Sequence, residues 1–215
     1  MVKKIQKFLS FCETDGLINT LNFVRDTLQQ KFWFKKSDTF FLKYEGSKNF
    51  DINIPSGFEF ITIHDFNSLI KYNYSRLKYL PCQKWYDNCS YCNIGLFHNR
   101  VISFMWIHKK PYYINNVGLF AIHDHECWIG PSFVDKNYRR RGVNTIQRAC
   151  VINNLLKNNP MTIYTSVSSQ NTANISNLLK FGFVLIDICR VKSFFNRKRS
   201  VFLFSHMLKT RLKQE

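Results

Sequence analysis

The segment Val134-Asp135-Lys136-Asn137-Tyr138-Arg139-Arg140-Arg141-Gly142-Val143-Asn144-Thr145 restricts this chain more than any other. Three consecutive arginines meet a glycine. The residues after it are periodic like a helix, with Val143, Ile146, Cys150 and Leu155 roughly on one face. Before it, Cys127 to Val134 reads as a strand. A strand that turns through glycine into a helix start leaves backbone N–H groups without intrahelical partners, at the positive end of the helix dipole. That is an anion site, and guanidinium groups that grip phosphate bidentately suit it to a phosphate or diphosphate. On residue types alone, a solvated basic turn satisfies the same sequence, since short basic clusters are common.

The rest of the sequence supplies the setting. A length of 215 residues suffices for a full core, as one domain with an extension or two small ones. Hydrophobic residues at 45% and aromatic residues at 16% exclude a disordered chain. The net charge of +17, from 31 Lys+Arg against 14 Asp+Glu, favours polyanionic company: nucleic acid, an anionic membrane surface or phosphorylated small molecules. Seven cysteines, at 12, 82, 89, 92, 127, 150 and 189, form no regular framework. The start lacks a sustained apolar run, and no window approaches the length of a membrane span. A reducing, cytoplasmic setting with free thiols is the expectation.

A division is expected near Pro55-Ser56-Gly57, with residues 1–56 an N-terminal helix and strand extension and 57–215 the main domain. Upstream, Leu17, Ile18, Leu21, Val24 and Leu28 recur at helical spacing, and a strand is predicted from Thr39 to Tyr44. Downstream, strands are predicted over 58–63, 94–97 and 101–108, with His98-Asn99 as a turn, and a helix from Asp65 to about Tyr74. After the arginine loop come a helix to about Lys157, a strand over 162–167, a helix over 171–180, and strands over 183–189 and 201–204. Alternating strands and helices with some hairpins indicate a layered α/β or α+β fold.

The arginine loop resembles the acyl-CoA loop of the GNAT superfamily of acetyl-CoA-dependent N-acyltransferases, Gln/Arg-x-x-Gly-x-Gly/Ala, with Arg139, Gly142 and Asn144 at the pattern positions. Asn144 departs from the usual glycine or alanine, although asparagine tolerates unusual backbone angles better than most residues. Asn171 to Phe183 is similar to the family's asparagine-rich helix ending in Lys-x-Gly-Phe, in the right order and at the right distance. The resemblance implies a GNAT fold: a mixed central sheet, flanked by helices, with a splayed pair of strands holding acyl-CoA. It implies diphosphate contacts from Arg139, Arg140, Arg141, Gly142, Val143, Asn144 and Thr145. It also implies backbone contacts to the pantetheine arm from Phe133 and Val134, and a cofactor contact from Asn171, which reads equally as a helix N-cap. Gly130-Pro131 suits the kink that splays the strand, since proline cannot donate to a ladder; the alternative is an early strand end.

The chemistry implied is transfer of an acetyl or other acyl group from acyl-CoA to a primary amine, by direct attack in a ternary complex, with no metal. Direct attack needs a base near the amine, and Glu126 is the candidate, with His125 the alternative. A solvated carboxylate at a strand end fits Glu126 as well. The backbone N–H of Val134 or a neighbour would polarise the thioester carbonyl. Where many family members carry a tyrosine acid, this chain has Leu178, and Tyr164 is a spare phenol nearby. Cys82, Cys89, Cys92 and His98 lack a clean second ligand pair, so buried thiols are favoured over zinc. His123-Asp124-His125-Glu126 reads as a polar loop or acceptor-pocket rim rather than a metal cluster. The acceptor is expected to be a small, anionic amine, such as an amino sugar or glycan intermediate. Basic and aromatic Lys31 to Lys36 would suit peripheral contact with an anionic membrane at its inner face. No nucleic-acid module frames the basic C-terminal residues, so nucleic acid is not the expected partner. The rival reading is a non-catalytic module that binds CoA or nucleic acid on a GNAT fold.

Overall fold

The computed structural model describes residues 35–114, 117–157, 161–194, 197–203 and 206–213. The helix predicted over 17–28 and most of the basic aromatic segment lie outside the described residues. The first elements are β1 (Lys35–Tyr44), β2 (Phe58–Ile63), α1 (Phe66–Ile70), a 3-10 turn (Ser75–Tyr79) and α2 (Cys82–Asp87). Next come β3 (Tyr91–Phe97), β4 (Arg100–His108), β5 (Tyr112–Ile114), β6 (Gly118–Phe120) and β7 (Glu126–Val134). A second 3-10 turn (Lys136–Tyr138) leads into α3 (Val143–Leu156), β8 (Thr162–Ser168) and α4 (Thr172–Lys180). The last are β9 (Val184–Phe194), β10 (Arg197–Leu203), α5 (His206–Arg211) and β11 (Leu212–Lys213).

An eight-stranded mixed sheet runs in the order β10-β9-β1-β8-β7-β4-β3-β2, with β11-β6-β5 as a smaller second sheet. Alternation along the strands separates two apolar layers. Leu42, Met105, Ile107, Ile129 and Ile163 pack under α3 and α4, against Ala149, Ile152, Leu155 and Leu178. Their neighbours face the other way. Phe104 and Trp106 meet Leu69 and Leu77 of the segment from α1 to α2. Phe41, Trp128 and Tyr164 meet Phe120 and Leu208, from the small sheet and α5. His98 and Asn99 are both left-handed, with φ 47° and 64°, and close the β3–β4 hairpin as their turn chemistry requires.

The strand predicted upstream of residue 56 lies inside the sheet. β1 is antiparallel to β8, from Thr39↔Ser168 to Tyr44↔Ile163, and to β9 on its other edge. β8 is therefore paired on one side from Ile163 to Ser168, and follows β1. β7 follows β4 in the same way, pairing it from His108↔Trp128 to Ser103↔Val134. Between these halves, the parallel β7–β8 contact covers only Glu126 to Trp128 against Thr162 to Tyr164. Beyond it the sheet forks.

Gly130-Pro131 sits at the fork as the kink reading expects. Met105 faces Ser132 and Ile107 faces Ile129, so β7 spends three residue steps where β4 spends two. Proline has no N–H to offer β8 there. Two side chains hold the fork's apex. Thr165 Oγ1 donates to the Ile129 carbonyl at 2.8 Å, and His108 Nε2 lies 2.8 Å from the Gly130 carbonyl. Because that carbonyl only accepts, His108 carries its proton on Nε2, and Nδ1 accepts from Ser90 Oγ at 2.7 Å.

His108 is 1% exposed, and burial lowers its pKa from 6.5 to about 4, against the opposing hydrogen bond to Gly130. As pH falls, the unfolded chain takes up this proton before the folded one does. The stabilisation is therefore complete above pH 6.5 and drains away between 6.5 and about 4. At about 1.4 kcal/mol per pH decade, roughly 3 kcal/mol is at stake. Thermal unfolding across pH 7 to 4 is expected to show this loss in the wild type and a flatter profile in His108→Gln. Parallel profiles would contradict it.

Candidate functional site

The mouth of the fork is a cavity of about 550 Å³. Its lining includes nine of the ten residues expected to hold a cofactor: Phe133, Val134, Arg139, Arg140, Gly142, Val143, Asn144, Thr145 and Asn171. Arg141 is the exception, because its guanidinium lies over the Tyr138 ring, 5.6 Å from the centroid. The floor is β7 after its kink. Asp135 N–H donates to the Ile102 carbonyl of β4 at 2.7 Å. Alternation then turns the polar groups of Phe133 toward β4 and those of Ser132 and Val134 into the fork. So the open backbone donors expected at Phe133 and Val134 sit at Val134 and Ser132 instead.

The loop wall follows from local geometry. Asp135 caps the second 3-10 turn, accepting from Asn137 N–H at 3.0 Å. Arg140 and Gly142 then both take left-handed backbone, with φ 62° and 76°. For Gly142, the N-cap of α3, this angle is free of the strain that a side chain would bring. Asn144 falls inside α3, so the unusual angle considered for it is not needed; the loop bends at Arg140 and Gly142 instead. Ile146 is the first N–H to bond back, to the Gly142 carbonyl. The amides of Val143, Asn144 and Thr145 therefore point out of the helix end into the cavity, where a diphosphate would meet them. Arg139 Nε donates to the Val134 carbonyl at 3.0 Å, pinning the loop to the strand.

The opposite wall is α4. Asn171 both caps this helix, accepting from Asn174 N–H at 3.2 Å, and lines the cavity, so its two readings hold together. Asn174 and Asn177 line it too, and Asn177 Nδ2 donates to Thr145 Oγ1 at 2.7 Å, tying the walls. The three-residue recurrence of Asn171, Asn174 and Asn177 is a one-face signal legible in the sequence. Ser132, Tyr138 and Ala173 line the cavity without any comparable signal.

The residues proposed for proton transfer lie elsewhere. Glu126 starts β7, six residues before Ser132, or roughly 20 Å along an extended strand. Its carboxylate accepts from Arg211 through two hydrogen bonds of 2.7 and 2.8 Å, and from His123 N–H and Tyr164 OH. Burial pushes its pKa up, but Arg211 and the His123 N–H outweigh this and hold it below the ordinary value near 4.5. So occupied a carboxylate is a poor base. It is a structural lock, joining β7 and β8 to the end of α5. His125 is exposed in the preceding turn, with φ 60°. Tyr164 is buried in the same lock, its pKa raised to about 12, chiefly by burial. Leu178 is 1% exposed in the core under the sheet. Among the described residues, no three His, Cys, Asp or Glu side chains gather as a metal site. Cys82 instead donates to the Leu77 carbonyl, and Cys92 is buried.

Glu126→Gln removes the charge from a largely buried pair and is expected to destabilise the protein by about 2 kcal/mol. Affinity for a ligand of the fork should remain within about twofold. Paired unfolding and binding measurements test this, and wild-type stability in the variant would contradict the lock.

No family model matches this sequence, and no curated protein matches it. Among solved structures, the fold is similar to a tandem GNAT protein from the clavulanic acid biosynthesis pathway, with TM-score 0.53 and 11% identity, covering 73% of this chain and 53% of that one. A Novosphingobium aromaticivorans acetyltransferase assigned to the GNAT family aligns with TM-score 0.52 and 10% identity, over 73% of this chain and 63% of that one. A Drosophila protein aligns with TM-score 0.51 and 14% identity, over 83% of this chain and 58% of that one. The chain thus spans less than two thirds of each of these structures. The mixed sheet, its fork at the kinked strand and its likeness to these structures show that this chain has the fold of the GNAT superfamily of N-acetyltransferases.

Proposed function

We propose that this protein is an N-acyltransferase that moves an acetyl or other acyl group from acyl-CoA to a primary amine in a ternary complex. The observation that carries the reading is the cavity at the fork. One wall is a helix start with three outward amides and two arginines, and the floor is a strand edge that has no partner strand beyond Trp128 among the described residues. The first suits a diphosphate and the second an extended amide-bearing arm, which would bond Val134 and Ser132 as an added strand would. Of these two, Ser132 stands nearer the apex, so its N–H is the better placed donor for a thioester carbonyl. With Leu178 in the core, the thiolate leaves without a tyrosine acid. The amine would pass its proton to water rather than to Glu126 or His125.

The net charge of +17 supports a small anionic acceptor, such as an amino sugar or glycan intermediate. A cytoplasmic setting, with peripheral contact to an anionic membrane, accords with the same charge. Among the described residues, no helix is long and apolar enough to cross a membrane. A second reading is a CoA-binding module without turnover. The engagement of Glu126 with Arg211 favours it, because neither acid–base residue expected from the sequence reaches the cavity.

Release of free thiol from acetyl-CoA, measured over a panel of amines with and without phosphate or carboxylate groups, separates the two. The enzyme reading expects turnover, with anionic amines preferred. CoA binding without thiol release across the panel would favour the module, and no CoA binding would end both. Replacing Arg139 and Arg140 together by Gln is expected to weaken CoA binding by roughly tenfold to a hundredfold, at about 1.4 kcal/mol per decade.

A further inference from the structure

Behind the cavity wall lies a charge with no obvious structural purpose. Arg148, in the second turn of α3, is 3% exposed. Its two terminal nitrogens donate to the side-chain oxygens of Asn177 and, at 2.8 Å, Asn174. Asn177 passes the chain on to the Thr145 hydroxyl, and Asn174 is tied through its N–H to Asn171. All of these partners are neutral. Among the described residues no carboxylate pairs with the guanidinium, and its aromatic neighbour, Phe181, is 6.0 Å away. Burial lowers its pKa to about 10, which still leaves a cation at neutral pH.

A buried, unpaired cation costs stability, and apolar residues of similar volume commonly replace buried ions at no loss. Apolar packing is at hand here, since Ala149, Val151 and Ile152 beside it belong to the core. The position of Arg148 is informative, because Thr145, Asn171, Asn174 and Asn177 all line the cavity. The guanidinium thus sits one side chain behind the surface that a ligand would touch. Arg139 and Arg140, by contrast, are exposed, where solvent and salt screen their charge. In a desolvated setting the same charge acts over a longer range.

We propose that Arg148 is a buried countercharge for the diphosphate of the ligand: a positioning residue that acts through Asn174, Asn177 and Thr145, whose polar groups it orients toward the cavity. The inference rests on the acyl-CoA reading and adds a residue to it. It gives the stripe of asparagines on α4 a common purpose, as neutral relays that leave the cation uncompensated. A carboxylate at any of these positions would cancel the charge before a ligand arrived.

Two variants test this, Arg148→Met and Asn174→Asp. The first removes the charge, and the second neutralises it in place. Both are expected to keep or raise the thermal midpoint of the ligand-free protein. Both are also expected to weaken binding of CoA and of ADP, which share the diphosphate, by tenfold or more in calorimetric titration. A purely structural role predicts the reverse, with a lower midpoint and unchanged affinity, and that result would overturn the proposal. So would a loss confined to CoA that spares ADP. If the wild type itself binds neither CoA nor ADP, the acyl-CoA reading fails and takes this inference with it. Wild-type binding that both variants retain in full would sink the role of Arg148 alone.

Discussion

The brevity of the contact between β7 and β8 sets the form of this molecule. Three paired positions and two hydroxyl bonds, from Thr165 to Ile129 and from Tyr164 to Glu126, join two half-sheets that are each well paired internally. A strand can satisfy its ladder on one edge and still leave the other open, but an open edge inside a fold must be kept from closing. Here the extra residue at Gly130-Pro131 bends β7 out of register, and β1 holds β8 from its far side. His108, buried and neutral, donates from Nε2 to the Gly130 carbonyl at the kink. The result is a cleft with polar backbone on its floor and a helix start at its mouth.

Electrostatics complete the cleft with few groups. Outward amides at the start of α3 supply partial positive charge without the flexibility of long side chains, and left-handed Arg140 and Gly142 aim them. The arginines add full charges in two settings, exposed on the loop and buried behind α4. Among the described residues, no carboxylate lines the cavity, and Asp135 is engaged in capping the turn beside it. Glu126, the one that sequence reasoning favoured, is spent on Arg211 at the opposite end of β7.

That difference shows what a local reading can and cannot reach. The loop was legible because its chemistry is continuous in sequence: strand, basic turn, glycine and helix lie within one segment, and each element is dictated by neighbours a few residues away. The kink at Gly130-Pro131 and the cap at Asn171 were legible for the same reason. Glu126 was not, because its partner lies 85 residues further along the chain. The asymmetry between Phe133 and Val134 depends on which edge of β7 faces β4, and this is set by pairing rather than composition. Arg148 passed unnoticed as one more basic residue on a helix, since its burial becomes apparent only once α4 packs across it.

By itself, then, the sequence determined an arginine-rich glycine turn at a helix start, the alternation of elements around it, and a strong excess of positive charge. These follow from short-range backbone geometry and from the charge of the side chains. Tertiary structure decided the rest: that a strand from before the expected boundary would prop open the fork, that Glu126 would serve as a lock, and that a buried arginine would stand behind a row of asparagines. Each depends on contacts between distant segments, where the free energy of a side chain is set by what covers it and what pairs with it.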